Sequence, residues 1–276
     1  MITISAVILT KNEEMNIVRC INSLQWCNEV VVLDSQSNDQ TVALAKSLGA
    51  RVFIHTQLPP FRISEQRNWA LENCDLQGEW IFFVDADEVV PQRLSDEIQQ
   101  ICSQKDNRYN AFELTPRYFF WGKWLKRTQG YPNWHARLLK RGEVSFTGGV
   151  WEHFAPGAKI GKINIPYDHF SNSKGLSDWL ERHNRYSSWD AERILEFLET
   201  KKFEDLGTSR KLKLRSLSYR FWLFRPFARF FQMYVLRLGF LEGWNSLVLC
   251  FMYFVYELMV VIKVIELKRK QTGLGL

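Results

Sequence analysis

The chain has 276 residues, of which 46% are hydrophobic, 14% aromatic and 24% charged, with 36 Lys and Arg against 30 Asp and Glu. This apolar content excludes a disordered chain, a collagen-like repeat and a simple coiled coil. The five cysteines are scattered with no CxxC pair, which argues against a disulfide framework or a zinc ribbon and favours a reducing compartment.

The positive charge is concentrated at the C-terminal end. Residues 207–276 contain 12 Lys and Arg but 3 Asp and Glu, which leaves 24 basic and 27 acidic residues in the first 206. We therefore predict two domains, an acidic globular domain over residues 1–206 and a basic, aromatic-rich helical tail over residues 207–276.

The first 90 residues alternate apolar runs with helix-compatible segments. The runs predict strands over residues 4–9, 30–33, 52–54 and 80–84, and the segments between them predict helices over residues 14–24, 38–48 and 64–72. This alternation is typical of βαβ units, so we predict an α/β fold with a mostly parallel central sheet flanked by helices. Because the first run has no basic leader, we interpret it as a buried strand and expect no secretion.

Residues 106–168 have a different character, rich in aromatic residues, glycines and turns (YFFWGKW, QGYPNWH, FTGGVWEHF). This composition predicts irregular strands and loops that line a site. The spacing of apolar residues predicts a further helix over residues 176–198.

The tail mixes arginines with large aromatic side chains from residue 217, and residues 246–262 are apolar apart from Glu257. That apolar run is shorter than the ~20 residues of a bilayer span and carries a charge. Helices with this composition favour association with a membrane interface. A buried helical hairpin or a homodimer face is the alternative.

Polar residues follow the predicted strands, and in a parallel sheet these strand ends lie at one edge. They are Thr10, Asn12, Glu13, Asp34, Asp85 and Asp87. Carboxylates gathered at one edge repel one another unless a cation or a hydrogen-bonding ligand lies among them. A divalent metal that takes its remaining ligands from water and phosphate meets this requirement. Asp85 and Asp87 can address one ion if the chain stays extended there.

The motifs SAVILTKNEE, VVVLDSQSNDQT and WIFFVDADE together resemble the N-terminal half of family 2 glycosyltransferases with the GT-A fold. Further along, SEQRNWAL, RLLKRG, GGVWEHF and RHNRYSSWDAE resemble the subgroup that builds lipopolysaccharide cores and other bacterial surface glycans. The resemblance covers about residues 1–200. It implies a GT-A, Rossmann-like domain, which in this chain precedes a C-terminal helical extension that we expect to associate with a membrane.

The resemblance also implies roles for individual residues. Those that would contact the nucleotide-sugar are Thr10, Asn12, Glu13, Asp34, Arg67, Asn68 and Asp85. Asp87 would bind Mg²⁺ or Mn²⁺, with Asp85 and His153 as further candidate ligands. The metal would neutralise the charge that develops on the departing nucleoside diphosphate.

An inverting transfer also needs a base that takes the proton of the acceptor hydroxyl. Glu152 is the candidate, because a partly desolvated carboxylate is a better base; a structural ion pair with Arg137 or Arg141 is the alternative. The subgroup usually has His-Glu here, whereas this chain has Trp151 before Glu152 and His153 after it. His153 is therefore a metal ligand, a phosphate contact or a packed histidine.

Four tryptophans of the irregular region suit stacking on sugar rings as well as aromatic packing: Trp121, Trp124, Trp134 and Trp151. The chain lacks the QxxRW element and the multi-span C-terminus of processive synthases, so we expect transfer of a single sugar.

The sequence thus predicts a metal-dependent, inverting hexosyltransferase that uses a nucleoside-diphosphate sugar, UDP by resemblance, and a glycan or glycolipid acceptor of lipid-linked or lipopolysaccharide type. We expect it at the cytoplasmic face of the bacterial inner membrane, bound through its tail, with homo-oligomerisation left open. A nucleotidyltransferase is an alternative, although the first strand lacks a following Gly-rich loop. A non-enzymatic membrane or nucleic-acid binder is the other, but the interleaved apolar residues make the tail a poor phosphate tracker.

Overall fold

The structure is a computed structural model that describes residues 2–57, 62–104, 107–148, 152–200 and 209–274. The chain divides into two compact units. The first contains residues 1–119 and 131–173, and the second contains residues 120–130 and 174–276. The boundary expected between residues 206 and 207 lies outside the described residues.

The elements follow one another along the chain in the order expected for an α/β protein. The first half contains β1 (Ile4–Thr10), α1 (Ile17–Asn22), β2 (Glu29–Asp34), α2 (Thr41–Ser47), β3 (Arg51–Ile54), α3 (Ile63–Asn73), β4 (Trp80–Asp85), β5 (Glu88–Val89) and α4 (Gln92–Cys102). Short strands follow: β6 (Ala111–Leu114), β7 (Pro116–Phe120), β8 (Lys123–Trp124), β9 (His135–Lys140), β10 (Phe146–Thr147), β11 (His153–Phe154), β12 (Ile160–Lys162) and β13 (Tyr167–His169). The strands and helices predicted for the first 90 residues are therefore present.

The central sheet of the first unit has seven strands in the order β12–β6–β9–β4–β1–β2–β3. The four strands β3, β2, β1 and β4 are mutually parallel, whereas β9 runs antiparallel to both β4 and β6. The chain therefore has the predicted α/β fold with a mostly parallel sheet. Two smaller ladders join β10 to β11 and β13 to both β5 and β7.

Side chains alternate across the sheet, so β4 contributes to two hydrophobic layers. Phe82 and Val84 pack in the layer that includes α1 and α4, while Ile81 and Phe83 pack in the layer that includes α3. A strand buried on both faces reads as a continuous apolar run, which is why WIFFV was recognisable in the sequence. Its rigid burial fixes the direction of Asp85, which ends the strand.

The second unit is helical. Its helices are α5 (Gly175–Thr200), α6 (Ser209–Arg220), α7 (Arg225–Phe231) and α8 (Trp244–Gln271). The helix predicted over residues 176–198 packs on α8, with Ile194 and Val260 fully buried in one cluster, which explains why it belongs to this unit.

The apolar run of residues 246–262 lies within a longer helix, α8, which has 28 residues. By length and composition, α8 is the one helix among the described residues that could cross a membrane. Glu257, the charged residue of the apolar run 246–262, is 2% exposed and lies 2.7 Å from Arg225 and 3.3 Å from Arg229. The charge within the apolar run is thus compensated inside the unit.

Candidate active site

The candidate site lies where β1, β2 and β4 end side by side. Thr10 is in register with Asp34, and Leu9 is in register with Asp85. This is the carboxyl edge of the parallel strands, at the point where the strand order reverses between β1 and β4. Open α/β sheets bind their ligands at such an edge.

The loops after β1 and β2 are hydrogen-bonded to each other. Asn12 donates its N–H to Ser37 Oγ at 2.7 Å, and its side-chain oxygen accepts the N–H of Asn38 at 2.8 Å. Glu13 donates its N–H to Thr41 Oγ1 at 2.7 Å, and its carboxylate accepts from Asn16 at 2.7 Å. Asn12 and Glu13 therefore brace one wall of the site.

Asp34 is fully buried beneath these loops. One carboxylate oxygen accepts the Ser37 N–H at 2.8 Å, and the other accepts the Thr10 hydroxyl at 2.9 Å. The carboxylate thus ties the end of β2 to the end of β1. The second oxygen, Oδ2, also accepts the Ser37 hydroxyl at 2.5 Å, so the remaining lone pair of Oδ1 is the one that a ligand could use.

Asp85 is held between two buried guanidinium groups. Its oxygens lie 2.7 Å from Arg137 Nη2 and 3.4 Å from Arg67 Nη2, and both arginines are at most 3% exposed. Burial by itself would raise the pKa of Asp85, but the charges of Arg137 and Arg67 lower that pKa well below its usual value. Asp85 is therefore an ionised carboxylate with its charge already compensated.

Glu88 contacts the same end of β4 through Arg137 and through the backbone of Asp85. Its carboxylate lies 2.6 Å from Arg137 Nη2 and accepts the Asp85 N–H at 2.9 Å. Burial raises the pKa of Glu88 to about 7, since the nearby Arg137 only partly offsets the loss of hydration. Glu88 fixes the backbone that carries Asp85.

Asp87 contacts a histidine that the sequence analysis did not select. Asp87 Oδ2 lies 3.3 Å from His169 Nε2, and both side chains are about one-sixth exposed, at 18% and 17%. Burial of His169 lowers its pKa, but the charge of Asp87 and a hydrogen bond to it outweigh burial and raise the pKa to about 9. The two groups thus form an ion pair at neutral pH.

The chemistry of this pair fits a divalent cation in part. An aspartate oxygen and an imidazole nitrogen lie 3.3 Å apart, and a cation bound by both would displace the proton of His169. Within the described ranges, no group of three or more His, Cys, Asp or Glu side chains has metal-binding geometry, so Asp85, Asp87 and His153 do not form one. The remaining ligands of a cation would have to come from water or from the phosphates of a substrate.

Glu152 lies on the opposite side of Arg67 from Asp85. Its Oε1 is 3.0 Å from Arg67 Nη1, and its side chain is 11% exposed. The ion pair considered for Glu152 therefore involves Arg67 rather than Arg137 or Arg141. His153, the next residue, has an exposed side chain on β11, as expected where neighbouring residues of an extended chain point in opposite directions.

The other predicted contacts have identifiable neighbours. Asn68 bonds both backbone groups of Phe146, at 2.9 Å and 2.8 Å, and so holds β10 against α3. Trp121 and Trp124 belong to the second unit, and Trp134 belongs to the first. Trp151 lies outside the described residues.

His169 was missed because local sequence does not mark it. It is aligned with Glu88 by the antiparallel pairing of β13 with β5, more than 80 residues apart in the chain. The one local signal is the alternation of side chains along β13, which places His169 on the same face of the strand as the buried Tyr167.

Comparison with known proteins supplies the remaining findings. Residues 5–157 match the family model described as glycosyl transferase family 2. An uncharacterized glycosyltransferase of Rickettsia typhi, RT0209, is 36% identical over 149 residues, which is 53% of this chain and 49% of that protein. This chain thus spans about half the length of that curated relative. The lipopolysaccharide core biosynthesis glycosyltransferase LpsC of Rhizobium meliloti is 26% identical over 80% of this chain and 83% of its own length.

Two solved structures are also similar. Glucosyl-3-phosphoglycerate synthase of Mycobacterium tuberculosis, in complex with phosphoglyceric acid, aligns with a TM-score of 0.44 at 19% identity, covering 64% of this chain and 74% of that chain. TarS of S. aureus, residues 1–349, aligns with a TM-score of 0.43 at 16% identity, covering 85% and 75% of the two chains.

Proposed function

Because this chain belongs to glycosyltransferase family 2, we propose that it transfers a single sugar from a nucleoside-diphosphate sugar to a lipid-linked or lipopolysaccharide-type acceptor, with inversion at the anomeric carbon. One observation carries the proposal. The ionised Asp85 and the Asp87–His169 pair lie at the strand edge where α/β proteins bind nucleotides.

The donor half of the reaction uses the wall built by β1 and β2. Thr10, Asn12, Glu13 and Asp34 line the nucleotide side of the site. Asp85, held ionised by its two arginines, accepts hydrogen bonds from the hydroxyls of the ribose or the sugar. A carboxylate whose charge is already compensated can do this without repelling the adjacent diphosphate.

Asp87 and His169 would hold Mg²⁺ or Mn²⁺. When bound, the ion supplies Lewis-acid stabilisation of the leaving diphosphate. His169 must be deprotonated to bind, and Asp87 supplies a hard oxygen ligand. UDP is the nucleotide we favour, on the resemblance of the motifs alone.

Glu152 is the base on the acceptor side. It takes the proton of the acceptor hydroxyl while that oxygen bonds to the anomeric carbon and the bond from carbon to phosphate oxygen breaks on the opposite face. Arg67 holds the Glu152 carboxylate in place through an ion pair, with Arg67 Nη1 3.0 Å from Glu152 Oε1.

The acceptor assignment draws on two observations. LpsC, similar over 80% of this chain, is named as a lipopolysaccharide core biosynthesis enzyme. The second unit carries exposed aromatic and apolar side chains on α7 and α8 together with basic residues in the last turn of α8. Both support a peripheral enzyme at the cytoplasmic face of the inner membrane, where lipid-linked acceptors are embedded.

The first test is metal-dependent turnover. Purified enzyme is incubated with UDP-, GDP- and dTDP-sugars in Mg²⁺ or Mn²⁺, and hydrolysis and transfer to a glycolipid extract are measured, with NMR of the product reporting anomeric configuration. We expect Asp87→Asn to lower turnover about 100-fold, because a metal ligand is lost. The control Asp96→Asn, on the exposed face of α4, should be unaffected. Full activity of Asp87→Asn, or insensitivity to chelator, would contradict the metal assignment.

A further inference from the structure

The segment of residues 120–130 belongs to the second unit, although the flanking residues belong to the first. It contains the last residue of β7, the two-residue turn 121–122, β8 and the residues that follow, and this segment, which we call the hairpin, has a well-packed interior. Phe120 and Leu125 are 2% and 0% exposed and share a cluster with Leu249 of α8. The hairpin is thus a fixed part of the helical unit.

Polar contacts fix the hairpin to the turn before α8. The buried carboxylate of Glu242 accepts the N–H groups of Arg127 and Thr128, both at 2.8 Å. Lys123 Nζ donates to the Glu242 carbonyl at 2.5 Å. Gly239 packs so closely here that a Cβ would lie 3.0 Å from Thr128 Oγ1. The position of the hairpin tip is therefore set by the unit around it.

The tip itself is unusual. Trp121 has φ of 48° and Gly122 has φ of 74°, the left-handed pair of a tight hairpin turn. Such turns favour Asn, Asp or Gly, and a bulky aromatic residue in this conformation is strained by roughly 1 kcal/mol. The Trp121 ring stacks on Phe120 with centroids 4.7 Å apart, yet the Trp121 residue remains 63% exposed. A strained and exposed residue suggests a role outside the fold.

The surroundings of the tip have the composition of a membrane interface. The Asn245 side chain donates to the Trp121 carbonyl, which sets the tip beside the start of α8. Exposed apolar side chains in this turn are Phe240, Leu241 and Trp244, at 47%, 59% and 69%. Lys126 and Arg127 are exposed on the hairpin. Tryptophan rings favour the headgroup layer, and cations favour anionic headgroups.

We propose that the hairpin tip, Trp121, inserts with Trp244 into the headgroup layer of an anionic bilayer, while Lys126 and Arg127 contact its phosphates. The inference rests on the membrane contact proposed above for the C-terminal helices and adds to it a segment from the middle of the chain.

The test is vesicle binding by the full chain in the absence of any donor. Flotation with phosphatidylethanolamine–phosphatidylglycerol vesicles is compared with pure phosphatidylcholine vesicles. We expect Trp121→Asn to weaken binding to the anionic vesicles about tenfold, since interfacial burial of an indole ring is lost. The same substitution relieves the turn, so the thermal midpoint should be equal or higher. The control Trp189→Asn, also an exposed tryptophan at 38%, should bind as the unaltered chain does.

A second variant tests the cations. Lys126→Glu with Arg127→Glu should remove the preference for anionic over zwitterionic vesicles. The inference is overturned if Trp121→Asn binds like the unaltered chain, if the unaltered chain binds no vesicles, or if it dimerises through this surface instead. It is also overturned if Trp121→Asn impairs only donor hydrolysis in free solution, which would favour sugar stacking. Donor hydrolysis without vesicles is measured in parallel. Failure of the proposed enzymatic activity can then be distinguished from failure of the proposed membrane contact.

Discussion

Arg67 is the residue that connects the two halves of the candidate site. Its guanidinium, 1% exposed, lies 3.4 Å from Asp85 and 3.0 Å from Glu152 and also donates to the Ala136 carbonyl at 2.9 Å. The planar fork of arginine reaches several acceptors at once, which the point charge of lysine does not. The sequence predicted that Arg67 faces the donor, but its partners come from distant strands and had no local signal.

The role of Glu152 can be tested by an isosteric change. We expect Glu152→Gln to lower kcat by about 100-fold or more, because the amide cannot take the proton from the hydroxyl of the sugar acceptor. Donor affinity, measured by titration with the nucleotide-sugar, should change little. Glu143→Gln, at an exposed ion pair with Lys140, is the matched control. A variant with normal kcat would show that Glu152 is structural.

At the scale of elements, prediction succeeded where the local sequence pattern of a segment is enough to identify its secondary structure. β1, β2 and β4 are buried runs, and their C-terminal polar residues could be placed from sequence because parallel strands share one edge. The antiparallel insertion of β9 beside β4 and the alignment of His169 with Glu88 could not be predicted, because both depend on pairing between distant segments.

Helix α4 was missed although its pattern is helical. Leu94, Ile98 and Cys102 recur every four residues and are all buried, but apart from Ile101 the rest of the helix is polar. Pro91 immediately before the helix was the available start signal.

The contribution of α4 can be measured directly. Ile98 is fully buried against the central sheet, so we expect Ile98→Ala to lower the free energy of unfolding by about 3 kcal/mol through lost burial and a residual cavity. Urea denaturation followed by circular dichroism gives the value. Ile54→Ala, at a side chain 53% exposed, should change stability by less than about 0.5 kcal/mol. Equal effects of the two changes would contradict the packing of α4.

At the scale of the whole molecule, the two units differ in how they are built. The first is built on a sheet and pairs Asp85 with Arg137 in the site, and the second is helical and pairs the buried Glu257 with Arg225. Composition predicted an acidic domain over residues 1–206 and a basic helical tail over residues 207–276. It could not indicate that residues 120–130 leave the first unit, since only three-dimensional packing assigns them.

The helical unit should lose stability in acid. His183 stacks on Trp179 with ring centroids 3.8 Å apart, and burial lowers the pKa of His183 to about 4. Between pH 6.5 and 4 the unfolded chain binds a proton that the folded chain does not, so stability falls as pH drops. Because solvent screens a partly exposed group, we expect about 1 kcal/mol of the stability lost between pH 7 and pH 5 to be retained in His183→Gln. An unchanged pH dependence of urea unfolding would contradict this account.

The helical unit is built from two separate segments of the chain, and this affects the order in which its parts are synthesised. The hairpin ends at Gly130, and α8, which covers it, begins at Trp244. At translation rates of about 5–20 residues per second, roughly 6–23 s pass between synthesis of the hairpin and synthesis of the start of α8. During that interval Phe120 and Leu125 lack the cover of Leu249, and under the membrane contact proposed for Trp121 the nascent chain would meet that surface before its C-terminal helices have been made.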